Sequence, residues 1–399
     1  MKIGLLKEEK IPADERVVFT PKQCKWITEN TNVNLVVQSS DRRCFQNSDY
    51  FNLGIAVVDD LSDCDVILGV KEVPKELLIS GKMYFYFSHT IKEQSYNREL
   101  LQKMVQKNIT MIDYEVLKDK NNKRLIGFGR YAGIVGAYNA LLTYGLKSDK
   151  FFLKAANKCS GINEVYKELN KIKLSAEKII LTGNGRVANG AIEILRKANI
   201  REVSKEDFIA KTFNESVFFR LNTMDYNERI DGALSDKYDF YNNPEKYQSS
   251  FMNYTKHADI FITGHFYGAG SPYLFTKEDA KSDDFNLQVV ADISCDIDGP
   301  VASTIRSSTV TIPIYGYNPV TEKEDDFRKN GVIAVMAVDN LPCELPKEAS
   351  EYFGNEFINK IFPYLIGEDP DRVLERATIC KDGYLTSYFE YLKDYLNGN

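Results

Sequence analysis

Five side chains in the first third of the chain have the types and spacing that amine and carbonyl chemistry needs. Lys71 follows the apolar run VILGV, His89 follows MYFYFS, and Glu115 follows TMIDY, so each stands just past a strand-like segment. Arg16 lies in the loop after the first such segment, and Arg124 on the turn after Glu115. If these segments are neighbours in one parallel sheet, their carboxyl ends share an edge, where open α/β folds bind ligands. Guanidinium forks hold substrate carboxylates at two points. A lysine that is partly buried or close to other cations has a lowered pKa and can exchange protons with an amine or a carbinolamine. Histidine titrates near neutrality and can serve a carbonyl or carbinol oxygen. The plainer readings are a solvated surface lysine at 71 and a helix cap at His89, and position alone weighs the two kinds of reading evenly.

The elements that must carry these groups are legible as alternating periodicities. Strand-like runs cover Ile3 to Leu6, Val33 to Val37, Val66 to Val70, Met83 to Phe87 and Thr110 to Ile112, with helical segments from Pro21 and over Asn97 to Gln106 between them. Continuous apolar strands alternating with helices predict a parallel sheet covered on both faces. From Gly133 the small-residue run GIVGAYNALLTYG has helical spacing and predicts a long helix leading into a second domain. A second α/β series opens at Lys178 to Leu181 and continues with Asp259 to Thr263, Leu287 to Asp292 and Val332 to Val338. The stretch from about 210 to 255, rich in Tyr, Asn and Asp, reads as an insertion, helical in part. The last fifty residues read as helices that return to the first domain. The expected architecture is α/β, with two Rossmann-like domains separated by a cleft: 1–135 plus about 350–399 for substrate and catalysis, and 136–349 for the dinucleotide.

The dinucleotide expectation rests on KIILTGNGRVANGAIEIL, which reads as strand, then Gly183-x-Gly185-Arg186-Val187-Ala188, then an amphipathic helix. The first glycine permits the tight turn, the second lets a pyrophosphate approach the backbone, and the small third residue lets helix and strand pack closely. The helix N-terminus offers its amides to phosphate. Glycines alone make a weak signal, since any strand-to-helix turn carries them; the strand and helix on either side strengthen it. About 20 residues on, where an acid that holds the ribose of NAD is expected, stand Ser204 and Lys205, with Glu206 and Asp207 beyond. Ser204 and Lys205 suit a 2′-phosphate and lean the reading toward NADP; a solvated Lys205 with Glu206 on the ribose is the competing reading. Asp296 follows another strand and faces the cleft in this reading, or caps a helix. The turn Asp339-Asn340-Leu341-Pro342 lies beside a nicotinamide, or simply ends its strand.

Bulk properties narrow the function classes. The 399 residues exceed one ordinary core. A net charge of -6 argues against nucleic acid as partner. There is no apolar run of about 18 residues to span a bilayer, and no secretory pattern at the N-terminus. Seven scattered cysteines without a CxxC pair read as reduced thiols in the cytoplasm. Three histidines, at 89, 257 and 265, without metal-ligand spacing predict no protein-built zinc site.

The stretches KEEKIPADERVVFTP, GVKEVP, YFYFSHTIKEQ, IDYE, GFGRYAG, YDFYNNPEKYQSSF, ADISCD and VDNLPCELPKEASEYFG resemble lysine-forming saccharopine dehydrogenase. They resemble still more the lysine–ketoglutarate reductase part of bifunctional aminoadipate-semialdehyde synthase. A more distant resemblance is to alanine dehydrogenase and the transhydrogenase cofactor domain. The resemblance implies two Rossmann-like domains, with Lys71 and His89 as acid–base groups. It puts substrate-side groups at Arg16, Arg124, Glu115, Lys92 and Asp296, and the cofactor turn at Gly183, Gly185 and Ala188. It also implies NAD or NADP as cofactor, and lysine, 2-oxoglutarate and saccharopine as substrates. The expected reaction is reversible reductive condensation of lysine with 2-oxoglutarate by a monomer or small homo-oligomer. The chain is expected to lack the second, saccharopine-oxidising half of the bifunctional protein. Alternatives are alanine dehydrogenase or a related amino-acid dehydrogenase, and a catalytically inactive nucleotide-binding protein.

Overall fold

A computed structural model of the chain describes every residue except 12, 269 and 399, so one residue of the KEEKIPADER stretch lies outside the described set. The chain first lays down six strands: β1 (Lys2–Leu5), β2 (Asn34–Gln38), β3 (Ala56–Val58), β4 (Val66–Lys71), β5 (Met83–Phe87) and β6 (Thr110–Asp113). There follow β7 (Lys178–Thr182), β8 (Arg201–Glu202), β9 (Val217–Leu221), β10 (Asn227–Arg229), β11 (Tyr247–Ser249), β12 (Ile260–Ile262) and β13 (Val289–Ala291). The last five are β14 (Ile314–Asn318), β15 (Lys323–Asp325), β16 (Ile333–Met336), β17 (Thr378–Lys381) and β18 (Tyr384–Leu385). They belong to two compact units, Met1–Phe128 with Pro346–Asn399, and Gly129–Leu345.

The first unit is built on an eight-stranded sheet in the order β18-β17-β6-β5-β4-β1-β2-β3. The strands from β6 to β3 are parallel, and β17 and β18 run antiparallel at one edge. Residues Tyr84 to Phe87 of β5 and Val66 to Val70 of β4 are buried throughout, as a sheet covered on both faces requires. The helix Pro21–Asn30 starts where its sequence directs: Thr20 Oγ1 accepts the Gln23 amide, Gln23 Oε1 accepts the Thr20 amide, and Pro21 takes the first turn. The C-terminal segment is not wholly helical as expected. After Pro346–Lys360 and two short helices it forms β17 and β18, because Ile379 and Cys380 are fully buried where β17 pairs with β6.

The second unit is built on a sheet in the order β15-β14-β16-β13-β12-β7-β9-β8, in which β14 alone runs antiparallel to its neighbours β16 and β15. Its long helix, Gly129–Ser148, starts four residues before the GIVGA run. It lies against the helix Arg186–Lys197 so closely that a Cβ on Gly133 would fall 1.9 Å from the Val187 carbonyl oxygen, and one on Gly190 2.0 Å from that of Arg130. The expected insertion at about 210 to 255 is corrected in part. Val217–Leu221 is a sheet strand, paired on one side with β7 and on the other with β8. Its apolar run is short and flanked by charged residues, so its sheet partners, not its own periodicity, reveal it. Only the stretch beyond it, with the β10–β11 hairpin and the helix Lys237–Asn242, stands outside the sheet. Among the described residues no helix is long and apolar enough to cross a membrane.

Candidate active site

The carboxyl ends of β4, β5 and β6 in the first unit gather the expected groups into two adjoining clusters. The first is centred on Glu115, in the single helical turn after β6. Its Oε2 lies 3.3 Å from His89 Nδ1, and its Oε1 lies 3.9 Å from both Lys92 Nζ and Arg124 Nη1. Burial alone would raise the Glu115 pKa. The hydrogen bond from His89 and the charges of Lys92 and Arg124 outweigh it and bring the value down to about 2. Glu115 is therefore ionised at any physiological pH, and it orients the His89 ring through Nδ1. Asp113, fully buried at the end of β6, ties the two loops together: its Oδ1 accepts the Glu115 amide, and its Oδ2 accepts the amide and hydroxyl of Ser88. His89 itself is left-handed, at φ 56°, a conformation that costs a residue with a Cβ and is held only where neighbours impose it.

The second cluster surrounds Lys71. Burial lowers the Lys71 pKa first, and the nearby Arg16 and Lys10 lower it further, against Asp14 and Glu72. Arg16 is almost wholly buried, and its fork is held by Asp14: Nε donates to Oδ1 at 2.9 Å and Nη2 to Oδ2 at 2.6 Å. Arg16, expected on the substrate side, has its Nε and Nη2 engaged by Asp14 and stands as a fixed positive charge near Lys71. Phe87 is the sheet partner of Lys71 and joins the clusters. The His89 ring stacks on it, Arg124 lies 5.3 Å from its centroid, and it packs on Phe128, which Arg16 covers at 4.1 Å.

In the second unit the glycine turn stands as its sequence requires. Gly183 has φ 91°, and a Cβ there would fall 2.4 Å from the Gly264 carbonyl oxygen, so no other residue fits. Gly185 differs: a Cβ there would meet nothing within 4 Å, so the packing of the protein itself does not demand glycine. It is the N-cap of the helix Arg186–Lys197 and offers no side chain to its first amides. A bare helix N-terminus with space in front of it fits the pyrophosphate of a dinucleotide. Arg186 and Val187 are the first helical residues, and Ala188 is buried, its Cα 3.1 Å from where a Gly264 Cβ would stand.

Other cofactor-side expectations fall elsewhere. Because β9 intervenes between β7 and β8, Ser204 and Lys205 lie one strand further out than the sequence reading assumed. Ser204 caps the helix Lys205–Ala210 by accepting the Asp207 amide, and Lys205 lies over the Tyr254 ring. The strand end beside the glycine turn carries Asn222 and Thr223: the Gly183 amide bonds the Leu221 carbonyl, and Asn184 reaches Asn222. Leu341 is 1% exposed, a core residue against the long helix rather than one open to a ligand, and Asp339 is exposed in the turn before it. Asp296 is exposed in a tight turn closed by Gly299. The buried acid after β13 is instead Asp292, which accepts hydrogen bonds from Thr263, Ser294 and Thr304. The sequence reading also passed over His265, whose Nδ1 lies 2.6 Å from Thr182 Oγ1 next to the glycine turn. Its position after an apolar strand was the only signal.

Residues 4–135 match the family model "Alanine dehydrogenase/PNT, N-terminal domain". The alpha-aminoadipic semialdehyde synthase of Arabidopsis thaliana is 28% identical over 98% of this chain, which spans 41% of that protein. The saccharopine dehydrogenase [NAD(+), L-lysine-forming] of Candida glabrata is 26% identical, over 88% of this chain and 89% of its own. The chain thus spans less than half of the synthase and most of the smaller enzyme. Among solved structures, an L-alanine dehydrogenase superposes with a TM-score of 0.64 at 16% identity, covering 99% of this chain and all of that one, which shows a shared fold. By sequence along nearly its whole length the chain resembles lysine-forming saccharopine dehydrogenases and aminoadipic semialdehyde synthases, and by fold it resembles an L-alanine dehydrogenase.

Proposed function

We propose that this protein is a nicotinamide-dependent oxidoreductase acting on CH–NH bonds, and that it joins the ε-amine of lysine reversibly to 2-oxoglutarate to give saccharopine. One observation carries the reading: at a single sheet edge, a lysine with a lowered pKa adjoins a histidine oriented by an ionised glutamate and flanked by Lys92 and Arg124. That set matches the demands of imine formation. Lys71, made easier to deprotonate, takes the proton that the attacking amine must lose. His89, with Nδ1 engaged by Glu115, turns Nε2 toward the carbonyl oxygen and protonates it to the carbinol, and the proton that Lys71 has taken, passed on to that hydroxyl, lets it leave as water and gives the iminium. Arg124 and Lys92 hold carboxylates of the two acids, and holding both reactants in place contributes several kcal/mol through lost translational freedom.

A nicotinamide dinucleotide seated on the Gly183–Ala188 turn would supply the hydride that reduces the imine carbon. Gly185 would leave room for its phosphates and the amides after it would bind them. Asn222 and Thr223, at the strand end nearest that turn, are uncharged, while Asp225 beside them accepts the Asn222 amide, so the reading extends to NAD and NADP alike. The test is oxidation of NADPH or NADH by the purified protein with lysine and 2-oxoglutarate. Consumption that needs both substrates is expected. No consumption of either cofactor, or consumption with pyruvate and ammonia only, would overturn the proposal.

A further inference from the structure

One buried carboxylate at the sheet edge has no part in the chemistry above. Glu8, in the loop after β1, is 6% exposed, and its two oxygens accept the backbone amides of Val70 at 2.6 Å and Lys71 at 2.9 Å. At that point β4 loses register with β5. The pairing Leu68↔Phe85 is followed by Lys71↔Phe87, so three steps along β4 face two along β5. This is a bulge, and a bulge re-aims the side chains that follow it. The ladder between β4 and β1 has by then ended at Leu5↔Leu68, and the glutamate takes over where the strands stop.

We propose that Glu8 is the positioning residue for Lys71: its carboxylate clamps the bulge at the end of β4 and so determines where the Lys71 amine stands. This rests on the acid–base role given to Lys71 above. Asp14 and Arg16 are paired with each other and act on Lys71 through their charges. The charged and titratable groups around Glu8 are Asp14, Arg16, Lys71 and Tyr114. Burial first and Asp14 second raise its pKa, while the two amides, each of which needs an acceptor, and Arg16 favour the carboxylate. The clamp thus sits next to a lysine whose own pKa is lowered.

The test is a double-mutant cycle of Glu8→Gln and Lys71→Ala, assayed with lysine, 2-oxoglutarate and NADPH. Glutamine sets an NH2 group against one of the two amides and opens the clamp. In the native background kcat should fall on the order of 10²-fold, as for a misplaced reacting group. The limb of the pH–rate profile that belongs to Lys71 should move toward ordinary lysine, and NADPH binding should stay unchanged. In the Lys71→Ala background the same change should alter the residual rate less than about twofold. Glu8→Asp, which keeps the charge with a shorter reach, should restore part of the rate, and it carries the same cycle if the glutamine variant does not fold. An unchanged kcat and pH profile, or an equal loss with and without Lys71, overturns the clamp alone. Native turnover in Lys71→Ala overturns the role of Lys71 and the clamp together.

Discussion

Replacing Glu115 by glutamine isolates what its negative charge does, because glutamine resembles the protonated acid in shape. In the fold the Glu115 pKa lies at about 2 against an ordinary 4.5, held down by His89, Lys92 and Arg124. At about 1.4 kcal/mol per pKa unit that difference amounts to about 3 kcal/mol. With the side chain 21% exposed and the two longer contacts at 3.9 Å, solvent screening leaves about 1–3 kcal/mol. The folded-state value is the lower one, so the stabilisation is complete above the unfolded pKa and is lost as pH falls through the folded one. About 40% of it should remain at pH 3. Thermal melts of the two proteins should differ by about 2–12 °C at pH 7, with glutamine the less stable, for a unit of this size. The gap should narrow as pH is lowered from 5 to 3. Activity should fall on the order of 10²-fold because His89 loses its orienting partner. Equal melting at pH 7, or a gap indifferent to pH, would refute the electrostatic account of this cluster.

Two glycine substitutions should separate folding from cofactor binding. Gly183→Ala forces a Cβ against the Gly264 carbonyl at φ 91° and should destabilise by about 1–3 kcal/mol, read as a lower melting temperature. A Cβ at Gly185 meets no protein atom within 4 Å, so Gly185→Ala should leave melting unchanged while NADPH binding, followed by nicotinamide fluorescence, weakens; unaltered affinity would empty the turn of its assigned ligand. Lys71→Met should bind NADPH normally and lose turnover by about 10²- to 10⁴-fold, and a single-turnover rate equal to the native one would remove Lys71 from proton transfer.

What was legible in the residues themselves was local. The apolar runs of β4, β5 and β6, the capping box at Thr20 and the glycine turn before Arg186 each carry their signal within a few positions, since backbone geometry and side-chain periodicity act over one turn or one strand. The α/β class and the approach of His89 to Glu115 follow from such signals combined with the rule that parallel strands share a carboxyl edge. Tertiary structure alone decided whatever depends on partners distant in sequence. It set β9 between β7 and β8 and so took Ser204 away from the glycine turn. It spent the Arg16 fork on Asp14, added β17 to the edge at β6, and brought Glu8 to amides 62 and 63 residues away. A strand's place in a sheet and a buried charge's partner are fixed by hydrogen bonds that must be satisfied once water is excluded, and no local pattern states which distant group will satisfy them.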